Sequence, residues 1–360
     1  MSKLFEPFSI KEITLRNRIA VSPMCQYCSN DGLPNDWHLV HLGSRAVGGA
    51  GMVMVEATAV SPDGRISPAD SGIYTDQHVE PFTKITKFLK EHGAVAGIQI
   101  AHAGRKASVR KPWEGDDSID AGQDGWDTIA PSAIAFGGTI PKIPKEMTAT
   151  DIKRVQTDFV DSARRALAAG FDFLELHFAH GYLASEFYSP LSNKRTDKYG
   201  GSFDNRIRFL LETFKAVREV WPERFPLTAR VSVTDWIEGG VTIEESIELT
   251  RLLKDAGLDM LDVSHGFVLP DVSAIPWGPG MMLPYAERIR KEAEIPTTTS
   301  WMITEPQQAE DAVANGQVDV VMLGRELLRD PYWPFHAAKS LGAGAAEDLL
   351  PVQYARAVTK

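Results

Sequence analysis

Gly48-Gly49-Ala50-Gly51-Met52-Val53-Met54-Val55-Glu56 joins a glycine cluster to a short apolar run that ends on a carboxylate. A run of this length suits a parallel strand buried on both faces. The order of the two halves decides the fold. A dinucleotide-binding fold places its glycines after a strand, where the backbone turns into a helix and cradles a pyrophosphate. Here they precede the strand, so that reading has little support. Working outward, similar runs lie at 18–21, 96–100, 171–176, 227–231, 260–263, 296–300 and 318–323, making eight with 52–56. Amphipathic stretches at 82–92, 151–169, 205–220, 243–256, 285–294 and 306–315 alternate with them. Gly93, Gly170, Gly257 and Gly316 stand where left-handed helix caps are expected. Eight strand–helix units without a dinucleotide fingerprint favour a closed (β/α)8 TIM barrel over an open sheet.

Such a barrel takes about 250 residues, so the 360 present leave room for insertions. The largest runs from His102 to about Met147 and is rich in Gly, Pro, Asp and Trp. Its apolar Trp, Ile and Phe residues predict that it packs against the barrel. Thirty-eight Lys and Arg against 48 Asp and Glu give a net charge of −10, which offers a nucleic acid backbone no bulk attraction. No apolar run approaches the roughly 18 residues of a membrane span. The opening Met1-Ser2-Lys3-Leu4-Phe5-Glu6 has no signal-like apolar core, and two cysteines make no disulfide framework, so a cytoplasmic location is expected.

In a barrel, side chains at the C-terminal ends of the strands converge on one face. There the sequence is dense in chemistry: Ser22-Pro23-Met24-Cys25-Gln26-Tyr27, Glu56-Ala57-Thr58, Gln99 to His102, His177-Phe178-Ala179-His180-Gly181-Tyr182, Arg230, Trp301 and Gly324-Arg325. Buried polar groups in such numbers are costly unless they serve a ligand. His177 and His180 have three readings. They could ligate a metal with Glu175, they could be satisfied within a loop, or they could donate N–H to a substrate oxygen, with Tyr182 as a general acid. The spacing lacks the helical HExxH pattern of zinc sites. Cys25 and Cys28, with His38 and His41, fit zinc-finger and thioredoxin patterns poorly. A single functional Cys25 is favoured, beside the plain reading of a small buried hydrophobe. Arg230, inside an apolar strand, should face an anion or a polarised carbonyl, or else form an ion pair with Glu56 or Glu175. Gly324-Arg325 before a helical segment matches the phosphate site of many barrels.

Five segments in fixed order carry a resemblance: Pro23-Met24-Cys25-Gln26-Tyr27, Gln99-Ile100-Ala101-His102-Ala103-Gly104-Arg105, His177 to Leu183, Asn193-Lys194-Arg195-Thr196-Asp197 with Tyr199-Gly200-Gly201-Ser202, and Gly324-Arg325. From about Leu4 to Arg356 the chain resembles the Old Yellow Enzyme family. It is nearest the bacterial cysteine-containing, thermophilic-like branch that includes the xenobiotic reductases. The resemblance implies a single FMN-binding barrel domain over 1–360, with 103–147 a capping insertion and 345–360 a C-terminal arm toward a neighbouring subunit. It implies that Pro23, Met24, Cys25, Ala57, Gln99, Arg230, Trp301, Gly324 and Arg325 hold FMN, Gln99 on the pyrimidine edge and Arg230 near N1 and O2. Trp301-Met302-Ile303-Thr304 departs from a glycine-containing family segment.

The implied reaction is two-stage hydride transfer. NADPH or NADH reduces FMN, and the reduced flavin reduces an activated alkene, either an α,β-unsaturated carbonyl or a nitro compound. His177 and His180 would bind the activating oxygen, Tyr182 would protonate the α-carbon, and Cys25 would tune the flavin. Tyr27 and Trp301 would wall the pocket. Arg356 matches an arginine that enters the neighbouring site in related members, so a homodimer or homotetramer is expected. No metal is expected, and two cysteines exclude the iron–sulfur relatives. The rival reading is a phosphate-binding barrel lyase or isomerase without flavin.

Overall fold

The eight apolar runs become eight parallel strands closed into one barrel, in a computed structural model that describes residues 2–120 and 122–358. Ahead of it lies an antiparallel hairpin of β1 (Phe8–Ile10) and β2 (Ile13–Leu15). The alternation starts with β3 (Ile19–Val21), α1 (Asp36–Val47), β4 (Met52–Ala59), α2 (Val79–Glu91) and β5 (Val95–Ala101). Two short strands, β6 (Ile129–Ala130) and β7 (Lys145–Glu146), fall within the long insertion. The second half runs α3 (Ala149–Ala168), β8 (Phe173–Phe178), α4 (Leu183–Tyr188), α5 (Phe203–Arg206), α6 (Arg208–Arg218), β9 (Leu227–Ser232), α7 (Ile243–Asp255) and β10 (Met260–Ser264). It ends with α8 (Leu283–Glu292), β11 (Thr297–Thr299), α9 (Pro306–Ala314), β12 (Val320–Leu323), α10 (Arg325–Arg329), α11 (Trp333–Leu341) and α12 (Val352–Val358). The barrel order is β3-β4-β5-β8-β9-β10-β11-β12, and β12 pairs with β3 to close it.

Period-two alternation divides each strand between two environments. Outward residues such as Leu174, Leu176, Val231 and Leu261 pack in the main core with the helices. Inward residues change character along the axis. At the N-terminal end Ala20, Met52, Met54, Phe173, Met260, Val320 and Met322 form a separate apolar cluster, closed by Ile10 and Leu15 of the hairpin. One or two pleats further on, β5, β8, β9 and β10 bring in Gln99, Glu175, Arg230 and Asp262. The barrel is thus plugged with hydrocarbon at one end and polar at the other.

The expected glycine caps take the left-handed conformation, with φ +76° at Gly93, +86° at Gly170, +99° at Gly257 and +70° at Gly316. The expected continuous helix at 205–220 is divided at Ile207. There buried Arg206 turns inward to the Tyr188 carbonyl (2.9 Å), the Gly201 carbonyl (3.0 Å) and Glu245 (2.6 Å). The insertion packs as expected: Ala103, Ala107, Val109 and Ile140 form a satellite cluster with Ile66, against which Cys25, Tyr27, Trp126, Phe136 and Tyr182 rest. No helix among the described residues is long and apolar enough to cross a membrane.

Candidate active site

The turn after β8 assembles the polar end of the barrel. His180 and Gly181 are both left-handed, at φ +62° and +67°. Only glycine fits at 181, because a Cβ there would lie 2.1 Å from the Phe267 carbonyl oxygen. The His180 backbone N–H donates to Ser232 Oγ (2.9 Å). This double turn brings His177 and His180 to a ring separation of 4.9 Å, and His177 and Tyr182 to 5.2 Å. His180 Nε2 shares a 2.6 Å hydrogen bond with Ser264 Oγ, which also accepts the Trp301 indole N–H at 2.9 Å. His177 Nδ1 is buried without a partner. Tyr27, Trp236, Phe267 and Met302 also hold positive φ. Such conformations cost energy and cluster where surrounding structure enforces them.

Electrostatics keep the three rings neutral. Burial, then the Arg230 guanidinium, pushes both imidazoles well below the usual histidine range. Burial, then the neighbouring Cys25 and Asp70, pushes the Tyr182 phenol well up. Burial likewise raises the Cys25 thiol, with Asp70 and Glu56 adding to it. Cys25 therefore stays a thiol, not a nucleophilic thiolate.

A charged layer lies beneath the rings. Gln99 Nε2 donates to Glu175 Oε1 at 2.7 Å, across directly paired residues of β5 and β8. Arg230 Nη2 donates to Ser300 Oγ (2.9 Å). Its Nε lies 3.0 Å from Asp262 Oδ2, close enough for an ion pair but not aligned as a hydrogen bond. The ion-pair expectation for Arg230 is corrected here: the partner is Asp262, its register neighbour on β10, and not Glu56 or Glu175. Glu56 is engaged with His38 (3.2 Å) and Ser71 (2.5 Å) instead. Burial raises the carboxyl groups of both Glu175 and Asp262.

Above this layer opens a cavity of about 380 Å³ bounded by Pro23, Met24, His180, Arg230, Trp301, Gly324 and Arg325, among others. Arg329 joins Arg230 and Arg325, so three guanidinium groups border it against one carboxylate, Glu326. A Cβ on Gly324 would have nothing nearer than Met24 Sδ at 3.6 Å, so the glycine leaves open space that a side chain would occupy. The residues present fit FMN: cationic groups suit a phosphate, and apolar Pro23 and Met24 with the Trp301 ring suit a flat heterocycle.

The other expected site residues lie outside the lining of this cavity. Cys25, Tyr27 and Tyr182 share the satellite cluster, and Tyr27 meets Trp113 edge-on at 5.9 Å. Ala57 and Tyr182 border a second, much smaller cavity. Gln99 lies deeper, 2 % exposed. Arg356 is exposed on α12 and does not border the cavity. Sequence reading missed Ser264, His265, Lys106 and Asp70. Lys106 Nζ donates to the His180 carbonyl (2.8 Å) and lies 4.8 Å over the Tyr182 ring. Burial pulls its ammonium down to about 8. A lysine after a strand-end histidine was the available signal, but nothing local ties it to Tyr182.

Residues 3–343 match the NADH:flavin oxidoreductase / NADH oxidase family. The chain is 48% identical over 355 residues to an NADPH dehydrogenase of Geobacillus thermodenitrificans, covering 98% of both proteins. Among solved structures it resembles a 2-naphthoyl-CoA reductase complex, with 29% identity and TM-score 0.85. That likeness covers 97% of this chain but only 53% of the larger enzyme. It also resembles the old yellow enzyme homologue of Zymomonas mobilis, with 26% identity, TM-score 0.78, and 94% and 93% of the two chains covered. The flavin-free lyase or isomerase reading falls with these matches. A closed barrel, a cation-bordered cavity suited to FMN and a family match over nearly the whole length agree: the chain belongs to the NADH:flavin oxidoreductase / NADH oxidase family and is an FMN-dependent oxidoreductase that draws on a reduced nicotinamide.

Proposed function

We propose that this oxidoreductase is an ene-reductase, reducing the double bond of α,β-unsaturated carbonyls and nitroalkenes. The observation that carries the reading is the convergence of His177, His180 and Tyr182 beside the cavity that holds Arg230, Gly324 and Arg325. FMN, when bound, supplies the hydride that NADPH or NADH has delivered to it. The chain's own residues do the rest. The two neutral imidazoles hold the substrate's carbonyl or nitro oxygen and draw electron density from the double bond. His180 offers its second ring nitrogen, because Nε2 is held by Ser264. Tyr182, kept protonated, gives its hydroxyl proton to the α-carbon. Arg230 places positive charge on the cofactor side, and the Cys25 thiol lies near both. Pro23, Met24, Ala57, Gln99, Trp301, Gly324 and Arg325 complete the cofactor's surroundings. Tyr27 and Trp301 wall the substrate.

Tyr182→Phe tests the assignment. Flavin reduction by NADPH should be nearly unchanged, while reoxidation by 2-cyclohexenone slows about 100-fold in stopped flow. Equal loss in both halves would refute it.

The proposal extends to assembly. Helix α12 exposes Val352 (73%), Tyr354 (48%) and Val358 (41%), an apolar surface suited to a second copy, with Arg356 among them. Thr359 and Lys360, at the end of the expected arm, lie outside the described residues. Sedimentation as a dimer or tetramer, with altered kinetics in Arg356→Ala, is the expected result.

A further inference from the structure

The second cavity, bordered by Tyr182, shares no lining residue with the larger one. It measures about 10 Å³, room for a single water molecule. Four alanines (57, 59, 101 and 103), Gly64 and Ile66 make up most of its wall. The two remaining groups are Tyr182 and Asp70, the only polar side chains among the described residues that border it. Asp70 is 4% exposed. Its Oδ1 accepts from the Ser67 N–H (3.1 Å) and Ser67 hydroxyl (2.7 Å), but its Oδ2 accepts only from the Ile66 N–H (2.7 Å). One lone pair on Oδ2 therefore remains to carry a proton. The groups facing this carboxyl are Glu56 from β4, Cys25 and Tyr27 from the segment after β3, and Tyr182 from the turn after β8. Lys106 lies over the Tyr182 ring, Asp116 also acts on that phenol, and the His102–Asp63 pair, 3.9 Å apart, flanks Gly64.

We infer that Asp70 resupplies the proton that Tyr182 gives up, through one water held in the small cavity. The inference rests on the reading of Tyr182 as proton donor. In the first step the tyrosine O–H bond breaks as the α-carbon–hydrogen bond forms. The water then passes a proton to the phenolate oxygen and receives one from the Asp70 carboxyl. Asp70 recovers its proton from solvent between turnovers, so one solvent proton enters for each product formed. Burial, opposed by its Ser67 and Ile66 hydrogen bonds and reinforced by Glu56, holds the Asp70 carboxyl at about 7, so near neutral pH it exists in both forms.

The test uses FMN-loaded enzyme with NADPH and 2-cyclohexenone, in Asp70→Asn and in Ala59→Val, which fills the cavity without touching the Asp70 hydrogen bonds. Pre-reduced enzyme already carries the Tyr182 proton, so the first reoxidation should keep its rate within about twofold in both variants. Steady-state turnover should fall about tenfold or more, and the ultraviolet band of tyrosinate should build up after the first turnover. Wild-type turnover should decline as pH rises through about 7, while the Asn variant stays low and flat. Unchanged steady-state turnover in the variants, with Tyr182→Phe slow in single turnover, would overturn the relay and leave the donor intact. Equal losses in first and later turnovers would also overturn it, as a structural effect. A fast single turnover in Tyr182→Phe would instead remove the donor reading itself.

Discussion

Gly181→Ala isolates the strain that shapes the site. Residue 181 has φ +67°, where an L side chain costs about 1–2 kcal/mol. The new Cβ would also lie 2.1 Å from the Phe267 carbonyl oxygen, and ordinary contact begins at 3.4 Å, so that carbonyl must retreat by about 1.3 Å. Overpacking of this kind adds about 1–3 kcal/mol. Gly201→Ala is the internal control: φ is +82°, but nothing lies within 4 Å of its Cβ, so it carries the backbone cost alone. At roughly 2 °C per kcal/mol for a chain of this size, thermal unfolding should place Gly181→Ala about 2–6 °C below Gly201→Ala. The displaced carbonyl also faces Lys106 Nζ at 3.4 Å, and the Phe267 ring packs on His180 and Trp301 at 5.7 and 5.6 Å. Flavin reoxidation by an enone should therefore slow in Gly181→Ala and not in Gly201→Ala. Equal unfolding temperatures for the two variants would refute the reasoning.

Two further outcomes follow from the site's electrostatics. The imidazoles of His177 and His180 lie well below the usual histidine range, so lowering pH toward 6 charges neither. Single-turnover reoxidation by 2-cyclohexenone should be flat from about pH 6 to 7, and a step near 6.5 would show that one of them titrates there. Arg325→Ala removes one of three guanidinium groups at the cavity and should weaken FMN retention about tenfold, at about 1.4 kcal/mol. Equilibrium dialysis or fluorescence titration of the apoprotein measures it, and unchanged affinity would move the phosphate elsewhere.

The barrel was legible because each strand is a short apolar run, and several of the helices between them end on a glycine that proves left-handed. The strand-end residues were legible for the same reason: once Phe173–Phe178 is a strand, Glu175 and His177 share its inner face. What escaped depended on distance across the fold. The hairpin Phe8–Ile10 with Ile13–Leu15 is too short to show a period. Asp262 became the partner of Arg230 through β9–β10 register, which charge alone could not choose over Glu56 or Glu175. Asp70 lies in a loop far from Tyr182 in sequence, and only closure of the barrel puts both on one small cavity. The positive φ of His180 had no sequence mark beyond the glycine that follows.

In the proposed function one site accepts hydride from a nicotinamide and passes it to an activated alkene. The visible absorption spectrum of the FMN-loaded protein under anaerobic conditions tests it, recorded before and after NADPH and again after 2-cyclohexenone. The flavin bands should bleach with NADPH and return in full with the enone. Bands that bleach and stay bleached in the presence of the enone would contradict it.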